Sequence, residues 1–215
     1  MTVLEKNKNL FVFSKNKLIK QLRMKRLFIA LIGLFAALSF SSCGYNTMVS
    51  KDENVKGKWA QVENAYQRRA DLIPNLVATV KGAAEHEQGT LTAVVEARAK
   101  ATSVTVDPSN LSEEAIAEYQ KTQDALSQSI GRLLVSVEAY PDLKANANFQ
   151  ELQAQLEGTE NRISVERRAY NEAVQDYNTT VRSFPTNIMA SIFGFKAKGT
   201  FQAQAGADTA PTVSF

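Results

Sequence analysis

The 215-residue sequence has one cysteine, one histidine and one tryptophan, with five prolines and ten glycines. A single cysteine excludes an internal disulfide framework and a cysteine-rich zinc site. A single histidine excludes the His-Glu-x-x-His metal pattern, which needs two. His86 lies between Glu85 and Glu87, but helical neighbours point about 100° apart, so the three do not converge on one ion. Gly82, Gly89 and Gly131 are isolated and form no phosphate-cradling loop, and there is no Gly-x-Ser-x-Gly. A Ser–Lys dyad is compatible with the spacing, but nothing favours one. The sequence therefore points to no catalytic residues, no metal, no cofactor and no small-molecule substrate.

The formal charge of +3 conceals an asymmetry. Residues 1–42 hold eight Lys and Arg against Glu5 alone, which leaves 17 basic and 21 acidic residues in 43–215. The basic excess belongs to the N-terminal segment and gives no ground for a nucleic-acid partner. Residues 27–38, LFIALIGLFAAL, carry no charge. Twelve residues are short for a permanent span, which takes about 20, but they have the length of a signal-peptide core. Lys25 and Arg26 precede the run, and Ser41 and Ser42 lead into Cys43. This order resembles a bacterial lipoprotein signal, with Phe40 where such signals usually carry an aliphatic residue. The expectation is a lipidated Cys43 as mature N-terminus, with an uncleaved anchor as the alternative. Met24 opens a complete signal of its own, so residues 1–23 read as a basic extension or an upstream start. Either way the basic residues stay on the cytoplasmic side and residues 44–215 face outward. Gly44, rather than Asp, after the cysteine permits delivery to an outer membrane.

Past a polar tether over 45–51, apolar residues recur at steps of three and four, the helical period. The first stripe is Val55, Trp59, Val62, Tyr66, Ala70, Ile73, Val77, Val80 and Ala84, resuming at Leu91, Val94 and Arg98. Pro74 lies inside it and predicts a kink. Gly82 and Gly89 mark where it can split; residues 53–102, if continuous, make a rod of about 75 Å. After the Asp107–Pro108 turn, Ser112 is placed as an N-cap with Glu113 and Glu114 in the first turn. The second stripe is Ile116, Tyr119, Gln123, Leu126, Ile130, Leu133, Val137 and Tyr140, ending at Pro141. The third is Phe149, Leu152, Leu156, Glu160, Ile163, Arg167, Tyr170, Val174, Tyr177, Val181 and Phe184, ending at Pro185. Near-heptad spacing and short links predict an all-α fold, an antiparallel bundle of three long helices.

The domain reading is 1–42 extension and signal, 43–52 lipidated Cys43 and tether, 53–185 bundle, and 186–215 an apolar segment with a mobile end. Gln123, Glu160 and Arg167 fall on the seams and read as boundary residues snorkelling outward, with a buried polar layer as the alternative. Tyr170–Asn171 and Tyr177–Asn178 read as seam tyrosines with asparagines bonded across helices, or as a ladder for a partner helix.

Several motifs in order then resemble the LemA family of bacterial membrane-associated proteins: Asp71-Leu-Ile-Pro-Asn-Leu-Val77 with Trp59, Tyr66, Arg68 and Arg69 ahead of it, Glu96-Ala-Arg98, the run from Glu138 to Asn146, the two Tyr–Asn pairs, Pro185 and Phe193-Gly-Phe195. The resemblance covers residues 50–215 and implies an α-helical protein anchored at its N-terminus. The resulting expectation is a non-enzymatic, membrane-tethered bundle that serves as a scaffold for unidentified envelope proteins. The alternatives are an accessory subunit of an envelope protease or signalling system, or an enzyme with an unrecognised site. Arg68, Arg69, Asp71 and Pro74 are the candidate docking residues, because a kink frees a carbonyl and gathers charge at one level of the bundle.

Overall fold

A computed structural model of the chain describes residues 3–82 and 88–203, with side chains described at 23–25, 28 and from 44 onward. The Cys43 side chain, the other side chains of the 27–38 run, the Glu85–His86–Glu87 cluster and residues 204–215 lie outside what is described. The chain divides into two compact units, 1–47 and 48–215. Among the described residues the elements are α1 (Val3–Lys81), α2 (Gln88–Ser103), α3 (Glu113–Val137), α4 (Pro141–Lys144), α5 (Ala147–Arg182) and α6 (Thr186–Phe193). The fold is all-α. Among the described residues no helix is long and apolar enough to cross a membrane.

In the first unit, which carries the start of α1, Met24 and Phe28 are largely exposed. In the second unit, side-chain contacts fix helix directions. Arg98 of α2 meets Ala70 of α1, so α2 runs back along α1. Tyr66 meets Tyr119, and Arg69 meets Gln123 and Ser127, so α3 runs parallel to α1. Lys51 pairs with Asp176 and Arg69 with Glu160, so α5 is antiparallel to it. The first apolar stripe is therefore two helices, not one rod: α1 ends at Lys81 and α2 returns. The three-helix expectation describes only half of this unit. Around Met48, Val55, Trp59 and Tyr66 the core is built from α1, α3 and α5. Around Ile73, Leu76 and Val80 it also takes Leu91, Val94 and Ala101 of α2.

Local signals act where the residues place them. The Ser112 side chain accepts from the Ala115 N–H at 3.2 Å and caps α3. Asn146 does the same for α5, accepting from Asn148 and Phe149. Asp107 accepts the Ser109 N–H at 2.8 Å and tightens the turn before α3. Residues 45–51, read as a tether, are instead helical, and Met48 is fully buried. Met48 precedes Val55 by about two helical turns and lies on the same face, so it extends the first stripe toward the N-terminus. On α5 the buried row includes Thr159, Glu166 and Ala173, each one residue short of the expected Glu160, Arg167 and Val174 positions. A 3.6-residue helix drifts against a strict heptad, so both rows share the interface along so long an element.

Pro74 sits inside α1 without ending it. Its missing N–H leaves the Ala70 carbonyl, four residues back, without its helical donor. Arg98 supplies one: its Nε donates to the Ala70 oxygen at 2.8 Å from the neighbouring helix. Arg98→Met keeps the stem and removes the donor, and should cost about 1–2 kcal/mol in urea denaturation. In a Pro74→Ala background the helix pairs its own carbonyl, and the same substitution should cost at least about 1 kcal/mol less. Equal costs in the two backgrounds would contradict the assignment.

Candidate functional site

The four docking candidates separate in the structure. Arg69 points inward and is 2% exposed. Its guanidinium donates to the Glu160 carboxylate at 3.0 Å, to the Gln123 backbone oxygen and Oε1 at 3.0 Å each, and to the Ser127 hydroxyl. Its carbon Cζ lies 5.1 Å from the Tyr66 ring centroid. Gln123 is buried as well and passes a hydrogen bond on to the Ala101 carbonyl of α2. The boundary reading is thus wrong for Gln123: this is a buried polar layer joining all four long helices, set between the two apolar clusters. Glu160 reaches it from a largely exposed position. Arg68 faces outward and makes no ion pair or hydrogen bond among the described residues. It lines a groove of about 620 Å³ with Gln61, Asn64, Gln155, Thr159 and Arg162. Asp71 is exposed and accepts from Gln67 at 2.7 Å, and Pro74 is exposed one turn on.

The most developed polar constellation is elsewhere. Gly194 ends α6 with φ +76°, a left-handed conformation that favours glycine. The chain then runs without regular structure through residue 203, as a strap across the groove between α3 and α5. Asn171 donates to the Phe201 carbonyl and accepts the Phe201 N–H, both at 2.9 Å. Asn178 does the same for Lys198, again at 2.9 Å. Gln120 of α3 makes a third such pair with Gln202, at 3.0 Å. Tyr170 donates to the Gly199 carbonyl and Tyr177 to the Lys196 carbonyl, at 3.0 Å each.

The spacing has a geometric cause. Seven helical residues rise about 10.5 Å, and three extended residues cover about 10 Å. Asn171 and Asn178 therefore stay in step with Phe201 and Lys198 as the strap runs antiparallel to α5. A primary amide carries both a donor and an acceptor, so it can pair both backbone groups of one residue as a neighbouring strand would.

Phe201 anchors the strap. It is 5% exposed, stacks on Trp59 at 6.0 Å, meets Tyr170 edge-on at 5.5 Å, and lies under the Arg167 guanidinium at 4.7 Å. Gly199 passes so close to α3 that a Cβ there would sit 2.5 Å from the Glu113 Cα and 2.8 Å from the Ser112 carbonyl oxygen. Lys198, nearly buried, pairs with Asp52 at 2.9 Å. Burial raises the Asp52 carboxyl, but hydrogen bonds from Lys56 and Lys198 outweigh it and hold the group below its ordinary range. Burial drives the Tyr170 hydroxyl up, and pushes Tyr177 up to about 12. Both tyrosines are therefore protonated donors at neutral pH.

The asparagines, expected to bond across helices, bond instead to the strap and hold Lys198 and Phe201 through their backbone groups. The missed signal was the Lys198-Gly-Thr-Phe201 sequence: a glycine that fits a tight passage, followed two residues later by an aromatic anchor. Glu63 also escaped notice. Burial raises its carboxyl, only partly offset by the Trp59 indole one turn back, which makes no well-formed hydrogen bond.

The protein is thus an all-α helical bundle in which the strap after α6 closes the groove between α3 and α5. The LemA family model matches residues 58–215, and the chain belongs to the LemA family. It is 25% identical over 200 residues to magnetosome protein MamQ 2 of Paramagnetospirillum magneticum, covering 84% of this chain and 73% of that protein. It is 24% identical over 200 residues to magnetosome protein MamQ of Magnetospirillum gryphiswaldense, with the same coverage. It is also 25% identical over 177 residues to protein LemA of Metamycoplasma hominis, covering 82% of this chain and 76% of that one.

One glycine substitution tests the strap, and a second of opposite sign serves as its control. Gly199→Ala forces the strap away from the α3 backbone and should lower stability by about 2 kcal/mol or more in guanidinium denaturation. Gly131→Ala, on the exposed face of α3 with open space around it, should raise stability by about 0.5–1 kcal/mol. A Gly199→Ala chain as stable as the parent would mean that the strap is not held where it lies.

Proposed function

We propose that this protein is a non-enzymatic scaffold of the bacterial cell envelope, tethered to a membrane through lipidated Cys43 with residues 44–215 outside the cytoplasm. The observation that carries the scaffold reading is the division of labour among the arginines at one level of α1. Arg69 is consumed in holding the helices together, whereas Arg68 is exposed and uncommitted in a groove with Arg162 and three side-chain amides. That groove has no carboxylate in its lining, although Glu166 on its flank pairs with Arg162 at 2.8 Å. It suits an acidic segment of another envelope protein. Support for the lipid anchor comes from the apolar run ahead of Cys43 and from the small residues between them; membership of the LemA family supports membrane association and not the kind of anchor. Several acyl chains on one cysteine hold a protein firmly, where a single chain is marginal.

Mass spectrometry of the mature N-terminus should find an acylated Cys43. An intact chain beginning at Met1 or Met24 would contradict the anchor. A photo-crosslinking residue in place of Gln61, in cells, should give discrete adducts that Arg68→Glu abolishes without change in stability. Adducts that persist in the Arg68→Glu chain would contradict docking at this groove. Adducts confined to one protease or signalling protein would favour an accessory subunit over a general scaffold.

A further inference from the structure

Large apolar side chains left in solvent are scattered singly over the second unit, except at one place. Phe184 is 81% exposed, Ile188 53%, Ile192 68% and Phe193 53%, all within ten residues. Residues 183–195 carry no charge, and exposed Arg182 and Lys196 bracket them. Ile188 and Ile192 are one helical turn apart and share a face of α6. On the inner face Ala190 is buried, and Met189 packs against the core cluster that contains Met48 and Val181. The outward apolar face is thus held in a fixed orientation.

The position of α6 identifies what covers it. Asp176 pairs with Lys51, and Lys198 with Asp52. The segment following α5 therefore lies at the end of the bundle where the second unit begins. Met48 is five residues after Cys43, and so within about 17 Å of it even if the chain between were fully extended. An acyl anchor on Cys43 keeps this end, and not the other, against the lipid. A second copy is a poorer fit: an eight-residue helix is about 12 Å long and falls well short of the ~800 Å² per partner of a stable interface.

We propose that Phe184 and the outer face of α6 form a foot that enters the headgroup–acyl boundary of the membrane, with Arg182 and Lys196 against anionic headgroups. This rests on the membrane-tethered reading above. The foot turns a single tether into a two-point attachment and sets the bundle at a fixed angle to the surface.

The test uses the full lipidated chain in vesicles of phosphatidylethanolamine and phosphatidylglycerol, with and without brominated acyl chains. Ile192→Trp is the probe and Val135→Trp, exposed at the opposite end, the control; native Trp59 is fully buried and gives a constant background. The Ile192→Trp signal should be quenched at least twofold by brominated lipid and shielded from aqueous acrylamide, and Val135→Trp should behave oppositely. Ile188→Trp, on the same face, should repeat the result. Equal acrylamide access at positions 192 and 135 would overturn the foot. Insensitivity to both quenchers would also overturn it, pointing to a second copy. Flotation of the same vesicles reads the tether separately. A chain that does not float contradicts tether and foot together; one that floats with position 192 open to acrylamide contradicts the foot alone.

Discussion

Backbone groups removed from water must be paired, and in this protein side chains do the pairing wherever the helices cannot. A proline inside α1 deprives one carbonyl of its donor, and an arginine from α2 replaces it. A non-helical strap crosses the bundle with no strand beside it, and amides and hydroxyls of α3 and α5 take the place of a sheet ladder. Without these side chains the part-buried backbone groups of Ala70, Lys198 and Phe201 would lose their partners, at about 1–3 kcal/mol per group. The clamps are thus what allow a short irregular segment to cover Trp59 and Tyr170.

The buried Arg69 layer applies the same logic to register. Apolar seams with near-heptad spacing tolerate a slip of one heptad. A guanidinium that must meet Gln123, Ser127 and Glu160 together does not. Buried charge is weak support for stability in itself, and its worth here lies in specifying which turns of α1, α3 and α5 face one another. The layer separates one apolar cluster closed by three helices and the strap from another closed by four helices, so it also marks where α2 ends and the strap takes over.

Much of this fold is legible in the apolar spacing. The seam residues of α3 from Ile116 to Val137 are buried as their period requires, and Ser112 and Pro185 bound their helices as side-chain chemistry dictates. What was not legible depends on contacts between distant segments. Nothing local distinguishes Arg68 from Arg69; only the facing Gln123 decides which one turns inward. The turn that separates α1 from α2 is marked by glycines, but a continuous rod satisfies the same pattern until the partners of Arg98 are known. The strap has neither helical nor alternating periodicity, and its order comes from asparagines 20 to 30 residues away.

The second unit thus carries an arginine-lined groove on one side and an exposed apolar patch on α6. The closure of its core over Trp59 depends on the strap being pinned through its backbone. Native-state hydrogen exchange tests this most directly, because the Lys198, Phe201 and Gln202 amides donate to Asn178, Asn171 and Gln120, and the Gly199 amide to the Leu111 carbonyl at 2.9 Å. These amides should exchange as slowly as those in the middle of α5. Exchange at the rate of an unstructured peptide, with α5 still protected, would contradict the clamp and the account built on it.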